Sequence, residues 1–186
     1  MAVDWSLAAG TLRVVPAPER PDLLADPVER TIREYGAREG ARIGVAEIEP
    51  EFADTATFCA QYGSPPERSA NCVVVSGKRS GITRHAACMI PATTRADVNG
   101  VVRRRLDVRK ASFTAMDDAV GLTGMEYGGI TPFGLPADWP VLVDTAVAES
   151  SAVVVGSGLR RSKLVTPGEV LGELPAAEVV EGLGLT

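Results

Sequence analysis

The sequence predicts an α+β fold built around a mixed β-sheet, on two observations: its β-like runs come mostly in adjacent pairs, and single helix-like segments separate them. A third observation singles out Gly124 to Pro136, where four glycines and two prolines fall within thirteen residues, between a helix-like and a strand-like segment. Glycine permits positive φ and close backbone approach, and proline fixes φ and lacks an N–H. Such a stretch is expected to form a tightly turned ribbon with free N–H groups, the geometry of an anion or carbonyl nest. Taken alone it also fits an ordinary connector, although Ile130 and Phe133 inside it argue that it is packed down.

The elements follow in order. Residues 1–26 read as an N-terminal arm with one edge strand near Leu12 to Val15, interrupted by Pro16, Pro18 and Pro21, and residues 27–186 read as the domain proper. Asp26-Pro27-Val28-Glu29 predicts a helix start with Asp26 as N-cap, running to about Gly36 or Gly40. A strand is expected over Arg42 to Ile48, and a helix from Asp54 to Tyr62, stopped by Gly63, Pro65 and Pro66. Ala70 to Ser76 and His85 to Thr93 form a predicted hairpin across Gly77 to Arg84. Thr94 is the expected cap of a helix through Val98 to Leu106, with Asp97 at its third position. A short strand over Lys110 to Phe113 precedes a helix capped by Thr114 and running through Leu122. Val141 to Val147 and Ala152 to Val155 read as adjacent strands, followed by the turn Gly156-Ser157-Gly158. Thr166-Pro167-Gly168-Glu169 has the pattern of a capping box opening a helix to about Leu174, and Ala177 to Val180 reads as a last strand.

Composition narrows the function classes. The chain has 186 residues, 45% apolar and 23% charged, with a net charge of −5, so nucleic-acid binding is not written into the overall charge. Basic residues are nevertheless clustered, with Arg103, Arg104, Arg105, Arg109 and Lys110 in eight residues and Arg160, Arg161 and Lys163 in a second knot. Each cluster can hold phosphate, and each equally fits a solvated surface. Cys59, Cys72 and Cys88 lack CxxC spacing, which points to reduced thiols with neither a disulfide framework nor a zinc site. Met1 to Arg13 lack the charged start and cleavage pattern of a signal peptide, and no apolar run reaches membrane-spanning length. A cytoplasmic protein with no membrane partner is the expectation. With His85 as the only histidine, and no Walker loop, GxGxxG or HExxH, the inventory points to no metal, no cofactor and no conventional nucleophile. An enzyme of this composition is expected to position its substrate over backbone donors and activate water.

Thr123-Gly124, then Gly128-Gly129-Ile130-Thr131-Pro132-Phe133-Gly134, then Val143-Asp144, then Val155-Gly156-Ser157-Gly158-Leu159-Arg160 occur in the order seen in the YbaK/prolyl-tRNA synthetase-associated editing domains, which the chain resembles over about residues 27–182. That resemblance implies a mixed, partly closed β-sheet flanked by helices and a deacylase that removes wrong amino acids from tRNA. It implies the aminoacylated 3′ end of tRNA as partner, and leaves an aminoacyl-tRNA synthetase open as a second one. Gly128 to Pro132 is the family's Gly-x-x-x-Pro loop, which presents backbone N–H groups to the aminoacyl carbonyl and terminal ribose. Asn71 and Gly128 are then the implied catalytic positions, Gly129, Ile130, Thr131 and Pro132 substrate-binding ones, and Gly156, Ser157 and Gly158 the opposite wall. The basic run from Arg103 to Lys110 is the implied tRNA contact.

The chain departs from the family at the start of the strand 71–75, where members carry a lysine. Depending on register, Ala70 or Asn71 stands in its place. A shifted substrate, a replacement cation such as Lys78 or Lys110, or loss of catalysis are the open consequences. Two readings therefore stand: a trans-editing hydrolase cleaving the ester of mischarged aminoacyl-tRNA, and a catalytically silent module binding aminoacyl-tRNA or an amino-acid-like ligand.

Overall fold

The computed structural model describes residues 3–186, the side chains of 37 and 38 excepted. In chain order the elements are α1 (Ser6–Ala9), β1 (Val15–Pro16), α2 (Asp26–Glu34), α3 (Gly36–Gly40), β2 (Gly44–Glu47), α4 (Thr55–Tyr62), β3 (Ala70–Arg79), β4 (Ile82–Pro91), β5 (Arg95–Ala96), α5 (Arg103–Leu106), β6 (Ala111–Phe113), α6 (Met116–Thr123), β7 (Val141–Asp144), α7 (Thr145–Ala148), β8 (Val153–Gly156), β9 (Ser162–Thr166), α8 (Gly168–Gly172), β10 (Ala177–Val180) and β11 (Gly184–Leu185).

The strands form two main sheets and a small ribbon. One sheet is antiparallel in the order β1-β2-β9-β8, and the other is mixed, in the order β10-β7-β4-β3-β6, with β7 parallel to both of its neighbours. An isolated parallel bridge between Ser69 and Val154 joins the start of β3 to β8, so the two sheets meet there and the structure is partly closed. This is the α+β architecture, with a mixed, partly closed sheet flanked by helices, that the sequence predicts.

Alternation along the strands builds cores on both faces of the mixed sheet. Ala87, Met89, Val141 and Val143 join Val28, Ile32, Ile43, Phe133, Leu164 and Leu171 in the main core. The intervening Ala86, Cys88, Ile90 and Leu142 pack instead against Val102, Leu106, Val108 and Leu183. A third core fills the outer face of the antiparallel sheet, where Val154 and Val165 meet Ala8, Ala9 and Phe58. β9 therefore presents Leu164 to the main core and Val165 to the α4 side. In α2 the buried Val28 and Ile32 lie one turn apart, and Glu29 and Arg33 pair on the outer face.

Several local expectations are corrected. The β3–β4 hairpin is longer than the sequence suggested, with Ser80 (φ 50°) and Gly81 (φ 78°) forming a two-residue turn of the primed type that matches strand twist. The apolar run from Val141 breaks at Asp144, and Thr145 to Ala148 turn helical because the Asp144 carboxylate accepts from Ala146 N at 2.9 Å. Asp97, not Thr94, caps the turn after β5, accepting from Gly100 N and Val101 N; Val98–Val102 is a π-helical turn that runs into α5. Thr94 Oγ1 donates to Pro91 O, Thr114 Oγ1 is buried without a partner, and Thr166 ends β9, so none of these hydroxyls caps a helix. Asp26 lies inside α2, whose N-cap is Ala25. β9 was not anticipated, because the basic knot Arg160-Arg161 conceals its start.

Asp144 serves the fold twice: it caps α7, and its other oxygen accepts from Gly184 N at 2.8 Å, tying β11 to the end of β7. The side chain is 6% exposed, so an alanine there leaves donors stranded away from water. Asp144→Ala is expected to lower the unfolding free energy by about 2–4 kcal/mol, the sum of a lost cap and a lost charged hydrogen bond. Urea unfolding measures it, and a loss below about 0.5 kcal/mol would contradict this account of the turn.

Candidate active site

A cleft of about 470 Å³ opens where the two sheets meet. The start of β3, from Ser69 to Val73, forms one wall, and the first turn of α4 with Ala53 and Asp54 forms another. Tyr127, Gly128 and Ile130 close it from the glycine-proline loop, and Val154 to Gly156 with Lys163 come from the antiparallel sheet.

Asn71 sits in this cleft. Its Oδ1 accepts a hydrogen bond from Thr55 Oγ1 at 2.7 Å, which fixes the side chain against α4. That bond assigns the amide orientation and leaves the NH2 as the donor end of the group. Thr55 carries no motif and was not singled out from sequence. Gly128 also lines the cleft, with φ +82°, so the left-handed conformation expected of a cradle glycine is present. A Cβ there would lie 2.5 Å from Arg160 Nη1. Among the described residues, the Gly128 and Ile130 N–H groups have no protein acceptor.

Arg160 is the clasp of this loop. Its backbone N–H donates to the Glu126 carboxylate at 2.6 Å, Nη1 to Tyr127 O at 3.0 Å, and Nη2 to Pro50 O at 3.1 Å. Behind the loop, Gly158 N donates to Gly129 O at 2.7 Å, and Glu126 N to Gly158 O at 2.9 Å. The approach is so close that a Cβ on Gly129 would lie 2.7 Å from Leu159 O, and one on Gly156 2.6 Å from Ile130 O.

The other positions singled out from sequence divide. Ile130 and Gly156 line the cleft, whereas Gly129, Thr131, Pro132, Ser157 and Gly158 do not. Ser157 Oγ is held within its own hairpin, 2.7 Å from Ser162 Oγ, and Thr131 Oγ1 is buried without a partner. The basic residues lie elsewhere. Arg103 donates to Asn99 O, Arg105 pairs with Glu178, and Arg104, Arg109 and Lys110 are exposed. Lys78 is exposed beside Arg79 and Arg109, so neither Lys78 nor Lys110 lines the cleft. His85 stacks on Trp139 with ring centroids 4.8 Å apart, also off the cleft.

The cation that does line the cleft is Lys163, which sequence reading placed with its basic neighbours. It is 7% exposed and is the second residue of β9, opposite Gly156 of β8 and Ala46 of β2. Its Nζ donates to Ala53 O at 2.7 Å and lies 5.6 Å from the centre of the Phe58 ring. Burial pushes its pKa down to about 8; Asp54 and Cys59 oppose the shift and Arg160 adds to it. Cys72, the cleft's thiol, is driven well above its ordinary value by burial, which makes it a poor nucleophile. Among the described residues no cluster of three or more histidine, cysteine, aspartate or glutamate side chains is arranged to hold a metal ion. Nor is any helix among them long and apolar enough to cross a membrane.

The arrangement is thus an open pocket with polar groups at Asn71, Thr55 and Lys163 and a glycine backbone edge at Gly128. Solved structures of the same fold include a protein described as a candidate trans-editing enzyme for prolyl-tRNA synthetase, which is 17% identical with a TM-score of 0.72 over 87% of this chain and 97% of that one. A hypothetical protein is 20% identical with a TM-score of 0.73 over 86% of this chain and all of its own. At these identities the likeness is one of fold. No curated protein matches the chain in sequence. The aminoacyl-tRNA editing domain matches residues 49–174, which include every cleft-lining residue named above. The chain belongs to the aminoacyl-tRNA editing domain family.

Proposed function

We propose that this protein is a trans-editing hydrolase that cleaves the ester of a mischarged aminoacyl-tRNA, with the aminoacyl end seated in the cleft between β3 and the Tyr127–Ile130 loop. The observation that carries the reading is that cleft, which joins the family's loop to a polar β3 start at a volume suited to a small ligand. A water oxygen attacks the acyl carbon, and the bond to the ribose oxygen breaks. That oxygen leaves with a proton, giving free amino acid and an intact tRNA end. The free N–H groups of Gly128 and Ile130 stabilise charge on the carbonyl oxygen, and Asn71, braced by Thr55, orients the ester. Burial disfavours the Cys72 thiolate, which fits attack by water in preference to attack by this thiol. The other reading, a silent binding module, is favoured by one feature: neither Ala70 nor Asn71 brings a cation to the β3 side.

With tRNAs charged with alanine, cysteine, serine and threonine, hydrolysis of at least one is expected above the spontaneous rate, undiminished by chelator. Background rates across the panel would leave only the binding module.

The tRNA body is assigned to the exposed basic surface around Arg104, Arg109 and Lys110. Gly77 packs beside Lys110 O six residues along β3 from Asn71, which at about 3.3 Å per residue is roughly 20 Å from the cleft. Neutralising Arg104 and Arg109 together is expected to weaken tRNA binding and to flatten its log–log salt slope by roughly one to two. An unchanged slope would return these residues to plain surface charge.

Gly128 joins the site to the fold. Alanine in its left-handed conformation costs about 1–2 kcal/mol, so Gly128→Ala is expected to lower the thermal midpoint. Its deacylation rate per folded molecule should fall on the order of a hundredfold. A lowered midpoint with parental turnover would place the loop outside the reacting centre.

A further inference from the structure

Lys163 is a buried ammonium with no ion-pair partner among the described residues, set in the wall of a cleft. Among the described residues only one of its three N–H donors has a protein acceptor, the carbonyl of Ala53. Phe58 supplies a ring face below it, which is a weak substitute for hydration. Burying a charge without a carboxylate is costly, and a methionine would fill the same volume without that penalty. The carboxylate that approaches it, Asp54, is exposed at the cap of α4 and makes no ion pair with it. The remaining titratable or charged groups around it are Cys59 on α4, Arg160 at the β8–β9 hairpin, and Cys72 and Tyr127 on the other walls. None of them forms an ion pair with it. An acceptor oxygen on a molecule in the cleft would compensate the charge.

We propose that Lys163, reaching the cleft from β9, is the donor that receives an oxygen of the aminoacyl ester, so that this chain draws its site cation from the antiparallel sheet and not from β3. The inference rests on the reading of the cleft as an aminoacyl-ester site and adds to it the group that holds the ester against Asn71 and Gly128. Lys163 stays protonated throughout. Its ammonium shortens no bond and transfers no proton; it donates a hydrogen bond to the carbonyl oxygen as that oxygen gains charge.

The sign of the pH dependence follows. The free protein holds Lys163 charged below about pH 8 and loses the charge as pH rises through that value. After subtraction of the spontaneous reaction, kcat/KM should therefore fall above about pH 8, because it reports the free enzyme. A bound ester oxygen favours the charged form, so the corresponding limb in kcat lies at higher pH.

The experiment combines Lys163→Met with a titration of the parent. Lys163→Met is expected to lose on the order of tenfold to a hundredfold in kcat/KM, to lose the alkaline limb, and to keep a melting midpoint at or above the parent's. In the parent, with lysines isotopically labelled, the Lys163 resonance should titrate near 8 and move upward on adding a 3′-amide analogue of aminoacyl-adenosine. The analogue carries the amino acid that the parent removes fastest. A variant with parental kcat/KM and an intact limb would overturn the proposal while leaving the editing reading in place. So would a Lys163 titration unmoved by bound analogue, or a variant whose midpoint and rate fall together with the limb retained, since that marks a purely structural lysine. A parent that neither hydrolyses any charged tRNA nor binds any analogue of the panel would remove the editing reading and this inference with it.

Discussion

The seam between the glycine-proline loop and the β8–β9 hairpin is the contact on which the rest of the site depends. Two main-chain hydrogen bonds, Gly158 N to Gly129 O and Glu126 N to Gly158 O, press two irregular backbones together without side chains between them. Glycine is required on both sides, because a Cβ at Gly129 or Gly156 would run into the carbonyls opposite. Gly158, with φ +86°, adds a turn that no other residue could make against Ala25. The seam fixes the height of Gly128 over the cleft, and Arg160 locks it by spanning from Tyr127 to Pro50. A rigid loop of this kind can hold donors in place for a developing charge without reorganisation at the moment of reaction.

Electrostatics in the cleft follows from the same packing. Because β9 is a central strand, flanked by β2 and β8, every one of its residues is buried, Lys163 included. The fold therefore carries an ammonium in surroundings that disfavour its charge, beside a pocket whose ligand would bring an oxygen. On the editing reading proposed above, a basic surface and a buried cation would divide the two parts of a charged tRNA between them: phosphate-directed charge in solvent near Arg104 and Arg109, and ester-directed charge withdrawn from it. Salt screens the first strongly and the second much less.

Much of this fold was legible because its strands are dense in β-branched residues and its helices begin at recognisable polar breaks. β3, β4, β8 and β10 were readable from local pattern alone, as was the loop from Gly124 to Pro136. The errors arose where local signals admit two outcomes. Val141 to Val147 is apolar enough for a strand throughout, and only the buried Asp144 carboxylate turns its second half into a helix. Thr94, Thr114 and Thr166 looked like caps, but Thr94 and Thr166 hydrogen-bond carbonyl oxygens and Thr114 is buried unpaired. Lys163 was grouped with Arg160 and Arg161 in a basic knot that fitted phosphate binding or a solvated surface equally; its burial comes from partners such as Ala53, more than a hundred residues earlier in the chain. Gly128 stood out by motif and Asn71 through its register with the family's lysine position, whereas Thr55 became visible only through its contact with Asn71.

The central claim is that the cleft at the junction of the two sheets receives the aminoacyl end of tRNA. It is tested most directly by a crystal structure of the protein with a non-hydrolysable aminoacyl-adenosine. The account predicts the acyl group between Asn71 and the Tyr127–Ile130 loop, its carbonyl oxygen within hydrogen-bond distance of the Gly128 or Ile130 N–H, and an oxygen of the ligand on Lys163 Nζ. A ligand bound at another surface, or one in this cleft with its carbonyl turned away from the loop, would contradict it.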